Sequence, residues 1–185
     1  MAQLFLALIH HPVVNRNGQV VTSAITSLDI HDLARSARTY GVDAFFVVHP
    51  IPEQREFAKS VIDHWRFDFG RAFDARRREA LELVRIVPTL ADACAEAEKI
   101  AGTRALIVHT SARTDRGQTF AAMRARLEAP DAPPAIIMLG TGFGMTPEMA
   151  ERADILLEAI HGATDYNHLS VRAAGAIILD RLRGR

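Results

Sequence analysis

The sequence predicts an α/β protein: a mostly parallel sheet with helices on both faces. Three observations lead there. Apolar runs of strand length recur along the chain, and segments with helical periodicity separate them. Within each run the apolar residues are consecutive rather than alternate, which is the pattern of strands buried on both faces.

Taken in order, "LFLALIH" (4–10) reads as the first buried strand, and "RNGQVVTSA" (16–24) as a small hairpin or loop. Residues 26–41 read as a helix with Thr26 or Ser27 near its start and Gly41 as its stop. "DAFFVVHP" (43–50) is the second strand. Residues 52–74 are expected as one long amphipathic helix, opened by Pro52 at a favoured first-turn position. "LVRIVP" (83–88) is the third strand, and Thr89 caps a helix over 89–102. Residues 104–110 form the fourth strand and 118–129 the next helix. "PDAPP" (130–134) is a stiff turn before the fifth strand, 134–140. A short helix over 146–153, a sixth strand over 154–162 and a last helix over 169–182 complete the chain. With no repeat, linker or low-complexity segment, residues 1–185 read as a single domain.

Composition narrows the function classes. Hydrophobic residues make up 49% of 185, enough for a sizeable core. Basic and acidic residues balance at 22 each, so no global field draws nucleic acid and any basic surface must be local. Nearly all the cations are Arg, which contacts phosphate in a planar, bidentate way; the lysines are Lys59 and Lys99. Cys94 is the single cysteine and falls in an apolar helix stripe, so it is expected in the core, without a disulfide. The start, "MAQLFLALIHHP", lacks a basic leader and its apolar run is short. It is expected to be neither signal peptide nor membrane span, which makes a soluble cytoplasmic protein the default. "RAFDARRRE" (71–79) is the one dense basic cluster; a solvated helix face is favoured over an RNA contact, because stacking aromatics are few. Phe67, Phe69 and Phe73 are expected in core or interface.

Ligands of open α/β sheets bind beyond the carboxyl ends of the strands. There the sequence places His10, His11, Pro12 and Asn15, then His49 and Pro50, then His109, Thr110, Ser111 and Arg113. After the fifth strand comes "GTGFG" (140–144), and after the sixth "HGATDYNH" (161–168). The glycine loop has neither the dinucleotide spacing nor the Lys-Ser/Thr pair of a phosphate loop. On its own it fits a ligand loop and an ordinary turn capped by Thr146 equally well. The rim histidines have no HExxH motif and no acid cluster beside them, so no metal is expected; His168, then His109, are the strongest functional candidates. Ser111, His109 and Asp115 do not make a nucleophile elbow, and GxSxG is missing. The dense polar entry to the last helix is either a plain cap through Asp165 or Asn167, or a binding loop.

Two stretches together carry a resemblance. "IMLGTGFGM", and then "LLEAIHGATDYNHLSVRAAGAIILDRL", resemble the last two motifs of the knotted, SPOUT-type RNA methyltransferases. "VVHTSARTD" stands where that superfamily's preceding motif lies. "HHPVVNRNGQVVTSAITSLDIHDLARSARTYGVDAFFVVHP" is similar to a bacterial family of SAM-dependent RNA methyltransferases found alone or joined to a tRNA guanine-N1 methyltransferase domain.

The resemblance implies a C-terminal trefoil knot, a homodimer, and S-adenosylmethionine held by the knot loops, with S-adenosylhomocysteine as product. It implies an RNA substrate, a tRNA or rRNA nucleotide, with no membrane and no metal. His161 and Gly162 would wrap the adenine, Ile160 and Leu169 pack its faces, and Tyr166, Asn167, His168 and Leu169 hold the ribose and methionine part. Gly140, Thr141, Gly142 and Gly144 would close the other side over a floor of His109 and Thr110. Arg113 would serve the substrate, and Asp165, His168 or a residue of the partner chain would accept a proton where the acceptor needs one. The loop lacks the acidic residue of many ribose 2′-O-methylating relatives, so base and ribose acceptors both stay open. The alternative from another class is a non-catalytic SAM- or RNA-binding partner of a methyltransferase; a phosphate-ligand enzyme ranks third.

Overall fold

The computed structural model describes residues 1–67, 74–114 and 116–185. Its strands are β1 (Leu4–Ile9), β2 (Val13–Val14), β3 (Val20–Val21), β4 (Ala44–Val48), β5 (Val84–Val87), β6 (Leu106–His109), β7 (Ala135–Gly140) and β8 (Ile155–Leu156). Its helices are α1 (Ser27–Thr39), α2 (Pro52–Arg66), α3 (Ala75–Leu81), α4 (Leu90–Ala101), α5 (Phe120–Glu128), α6 (Pro147–Glu151) and α7 (Val171–Arg183). Six strands form one sheet in the order β5-β4-β1-β7-β6-β8, and every pairing is parallel. β2 and β3 make a separate antiparallel hairpin.

The consecutive apolar runs have the predicted cause. Along β1, Leu4, Leu6 and Leu8 face a core shared with α1, α5 and α7, while Phe5, Ala7 and Ile9 face a second core shared with α4. All six are fully buried, so no position is left for a polar residue. Each large side chain buried this way contributes roughly 1.5–3 kcal/mol. Helix starts follow side-chain chemistry: the Thr26 hydroxyl accepts from Asp29 N, and Thr89 and Asp92 form a reciprocal capping box.

Several expectations need correction. The long helix over 52–74 is not continuous: α2 ends at Arg66, and Asp74, in extended conformation, caps α3 by accepting from Arg77 N. Aspartate competes for backbone N–H groups and so favours a cap over a helix interior. Phe69, Arg71 and Phe73 lie outside the described residues, and Phe67 is largely exposed rather than core. Of the arginine run, Arg76 is exposed, but Arg77 stacks over the Trp65 ring at 4.3 Å and so joins α3 to α2.

The sixth strand shrinks to Ile155–Leu156. Its partner β6 ends at His109, so only two residue pairs form. Leu157 still bridges Gln118, after which the chain departs from the ladder. The last helix starts at Val171 under Ser170, whose hydroxyl accepts from Ala173 N; neither Asp165 nor Asn167 caps it. The hairpin opens earlier than expected, at Val13. Cys94 is half-buried against the second core, and burial pushes its thiol up. Among the described residues, no helix is long and apolar enough to cross a membrane.

Candidate functional site

The carboxyl ends of β1, β7 and β6 lie side by side, because β7 inserts between the other two. Four connections therefore meet there: the β1–α1 segment, the loop after β6, the glycine loop after β7, and the segment from β8 to α7. Together they enclose a cavity of about 680 Å³.

The glycine loop is shaped by what holds it. Phe143 N donates to the Val14 carbonyl at 3.0 Å, and Val14 N donates to the Gly144 carbonyl at 2.9 Å, so the hairpin clamps the loop. Gly142 has φ +61, and a Cβ there would press on the Val14 carbonyl at 3.1 Å. The loop after β6 is tied back at its start, where the Thr110 hydroxyl donates to the Met138 carbonyl at 2.7 Å. Further on, Gly117 passes so close to β8 that a Cβ would lie 2.6 Å from Leu157 C and Glu158 N. The Glu158 carboxylate accepts from Phe120 N at 2.6 Å. Asn167 Nδ2 donates to the Ala112 carbonyl at 3.0 Å, which fastens the segment entering α7 to the loop after β6.

The charged and titratable groups are arranged around this crossing. Asp29, nearly buried, takes Arg172 at 2.7 Å; Arg172 also reaches Asp32 at 3.4 Å. Beneath the rim, His10 and His49 are fully buried with ring centroids 5.4 Å apart. Burial, and then the neighbouring His49, push His10 down to about 4. Burial lowers His49 and His109 in the same direction.

Ten of the fifteen expected site residues stand on the cavity wall. Thr110, Arg113, Gly140, Thr141, Gly142 and Gly144 come from the first two loops, and Ile160, Asn167, His168 and Leu169 from the third. Five do not. His161, Gly162, Asp165 and Tyr166 are exposed outside the wall, and a Cβ on Gly162 would meet open space. His109 is buried, but strand alternation sets it opposite Val108, whereas Leu139 and Ile178, which wall the cavity, share the core of Val108.

Sequence reasoning missed Ser23 and Ala24 from the β1–α1 connection, Asp29 from the first turn of α1, Phe143 and Glu158 from the loops, and Ala174 and Ile178 from α7. Asp29 reads in sequence as an ordinary first-turn acid. The strand-end rule pointed to His10 and His11, but the connection curls back, and the residues that reach the cavity come a dozen positions later. Among the described residues, no group of three His, Cys, Asp or Glu side chains could hold a metal ion.

Residues 3–184 match the family profile described as SAM-dependent RNA methyltransferase. The chain belongs to that family. An uncharacterized protein of Aquifex aeolicus (strain VF5) is 39% identical over 183 residues, covering 98% of this chain and 89% of its own. A tRNA (guanine-N(1)-)-methyltransferase of Oleidesulfovibrio alaskensis is 38% identical over 181 residues. That match takes in 98% of this chain but 42% of the relative, so this methyltransferase chain spans less than half of that protein's length. The fold likeness reaches the SpoU methyltransferase AviRb from Streptomyces viridochromogenes, solved in complex with AdoMet. The TM-score is 0.55 at 15% identity, over 98% of this chain and 56% of the other. S-adenosylmethionine is thus the family's cofactor, and RNA the class of substrate that its members methylate.

Proposed function

We propose that the cavity holds S-adenosylmethionine and that the loop after β6 presents a tRNA or rRNA nucleotide to it. The observation that carries this reading is the convergence of three C-terminal segments on one cavity. At about 680 Å³ it lies within the range of cofactor sites, roughly 300–1,000 Å³. The donor set fits the cofactor: apolar Leu139, Ile160, Leu169 and Ile178 offer faces for an adenine, and Thr110, Thr141 and Asn167 offer polar contacts.

When bound, the cofactor supplies a methyl group already activated on a sulfonium, so the protein's part is alignment and proton handling. The glycine loop, clamped by the hairpin, is a fixed wall. Arg113 lines the cavity, is exposed, and has no ion-pair partner among the described residues, which suits it to orient a phosphate or target nucleotide. His168 stands on the wall as the nearer proton acceptor, with Asp165 farther out in the same loop.

The reading includes one domain over 1–185, a cytoplasmic homodimer, and a trefoil knot in the C-terminal third. The knot is supported by the tight passage of Gly117 across β8 and by the Asn167 bond to Ala112.

Calorimetric titration with S-adenosylmethionine and S-adenosylhomocysteine, with ATP and NAD as controls, tests the cofactor. Selective binding of the first pair is expected, and binding of ATP or NAD instead refutes it. Arg113→Ala is expected to keep the cofactor affinity and to lower methyl transfer to bulk tRNA or rRNA at least tenfold, on the order of one lost charged contact. Equal loss of both would move Arg113 into the cofactor pocket.

A further inference from the structure

The hydrogen bonds that join β1, the β1–α1 connection and the glycine loop run in one direction. Thr141 Oγ1 donates to the Ile9 carbonyl at 3.0 Å. A threonine hydroxyl has one hydrogen, so the 2.5 Å contact between Ser23 Oγ and Thr141 Oγ1 takes its hydrogen from Ser23. Ser23 then has none left for His10 Nδ1, which lies 3.0 Å away. The imidazole must therefore carry its hydrogen on Nδ1 and donate it to Ser23. That leaves His10 Nε2 as a bare lone pair. It is the ring nitrogen that is buried without a partner among the described residues. Burial, and then the neighbouring His49, push the His10 value down, so at neutral pH the ring is uncharged and carries a single hydrogen. His49 holds the same serine from the other side. Its Nδ1 accepts from Ile51 N, so its Nε2 donates to the Ser23 carbonyl at 3.0 Å.

Ser23 and Thr141 both line the cavity. Their hydroxyl hydrogens are committed inward, so the two hydroxyls offer lone pairs and no donor. We infer that the Ser23 and Thr141 hydroxyls make an acceptor-only pair that takes an N–H donor of the bound ligand, an amino or ring N–H group, and disfavours a group offering only lone pairs. A ligand carbonyl at this place would face two oxygens, neither with a hydrogen free to donate to it. The inference rests on the cavity's role proposed above, and two sources supply such a donor: an amino group of the cofactor, or the N–H edge of a target base.

The test has two parts. Long-range 1H–15N spectra of the labelled protein at pH 7, assigned with His10→Gln and His49→Gln, read the tautomers without any ligand. The expected result is Nδ1–H for His10 and Nε2–H for His49; Nε2–H for His10 overturns the proposal. Titrations and methyl-transfer assays then compare wild type with Ser23→Ala, Thr141→Val and Ser23→Thr, each checked for folding by thermal melts. Loss of one hydrogen bond is expected to cost about three- to tenfold, and Ser23→Thr, which keeps the oxygen, is expected to retain function. A loss in S-adenosylmethionine affinity identifies the cofactor as donor. A raised KM for RNA at unchanged cofactor affinity identifies the base. No change in either overturns the subsite. A wild-type chain that binds no S-adenosylmethionine refutes the cofactor reading of the cavity, while the His10 tautomer still decides whether the pair is acceptor-only.

Discussion

Two pairs of glycines, Gly41 with Gly102 and Gly117 with Gly175, serve opposite purposes. Gly41 and Gly102 follow α1 and α4 with φ of +66 and +73, and a Cβ on either would meet nothing within 4 Å. They are there because the backbone turns left-handed. Gly117 and Gly175 lie outside the left-handed region, yet a Cβ on Gly117 would enter the backbone of Leu157 and Glu158, and one on Gly175 would sit 2.6 Å from Leu33 Cδ2. They are there because two segments pass at close quarters. The helix ends at Gly41 and Gly102 are thus shaped by local chemistry that each carries for itself. The passages at Gly117 and Gly175 are shaped by contact between segments far apart in the chain, and the cavity lies among such contacts.

Gly117→Ala should test this contrast most severely. Backbone atoms at 2.6 Å cannot step aside as a side-chain tip can, so the crossing itself must open. A loss of about 3 kcal/mol or more in denaturant unfolding is expected, together with loss of cofactor binding. An unchanged midpoint would dissolve the contrast. Gly175→Ala meets the flexible ends of Leu33 and Leu139, so about 1–3 kcal/mol is expected, with α7 shifted and the cavity altered.

A pH series probes the fold in another way. In the unfolded chain His10 binds its proton near the ordinary 6.5, and in the folded chain near 4. Between those values the unfolded state holds more protons, so stability should fall as pH drops from about 6.5 toward 4 and level off below. His49 and His109 add in the same direction. His10→Gln should flatten the curve of melting temperature against pH; an equally steep curve would show that His10 is not its source. The smallest effect is expected at a helix end. Thr89→Ala removes one hydroxyl cap and should cost about 1 kcal/mol while leaving cofactor affinity unaltered. A change in affinity would show that this helix end and the cavity are coupled.

Legibility in the sequence follows the same division. β1, β4 and β7 could be read because their residues are buried on both faces, and α4 because Thr89 announces its start. β8 could not be read to its true length, because that length is set by where β6 stops, not by its own apolar residues. At the site, the glycine loop and Ile160, Asn167, His168 and Leu169 were legible from strand-end position and motif likeness. Ser23 and Asp29 were not. They reach the cavity because β7, some 130 residues later in sequence, lies beside β1, and no local pattern records that adjacency.

That same placement of β7 bears on how the chain is made. β1 can pair with β4 once residue 48 has left the ribosome, but its other edge must wait for residues 135–140. At synthesis rates of about 5–20 residues per second, the interval is roughly 4 to 20 seconds. Throughout it, "LFLALI" presents an apolar strand with one row of backbone groups unpaired, a template for pairing with other chains. The nascent protein therefore passes through a window of aggregation risk, set by strand order alone, that closes only as its last quarter emerges.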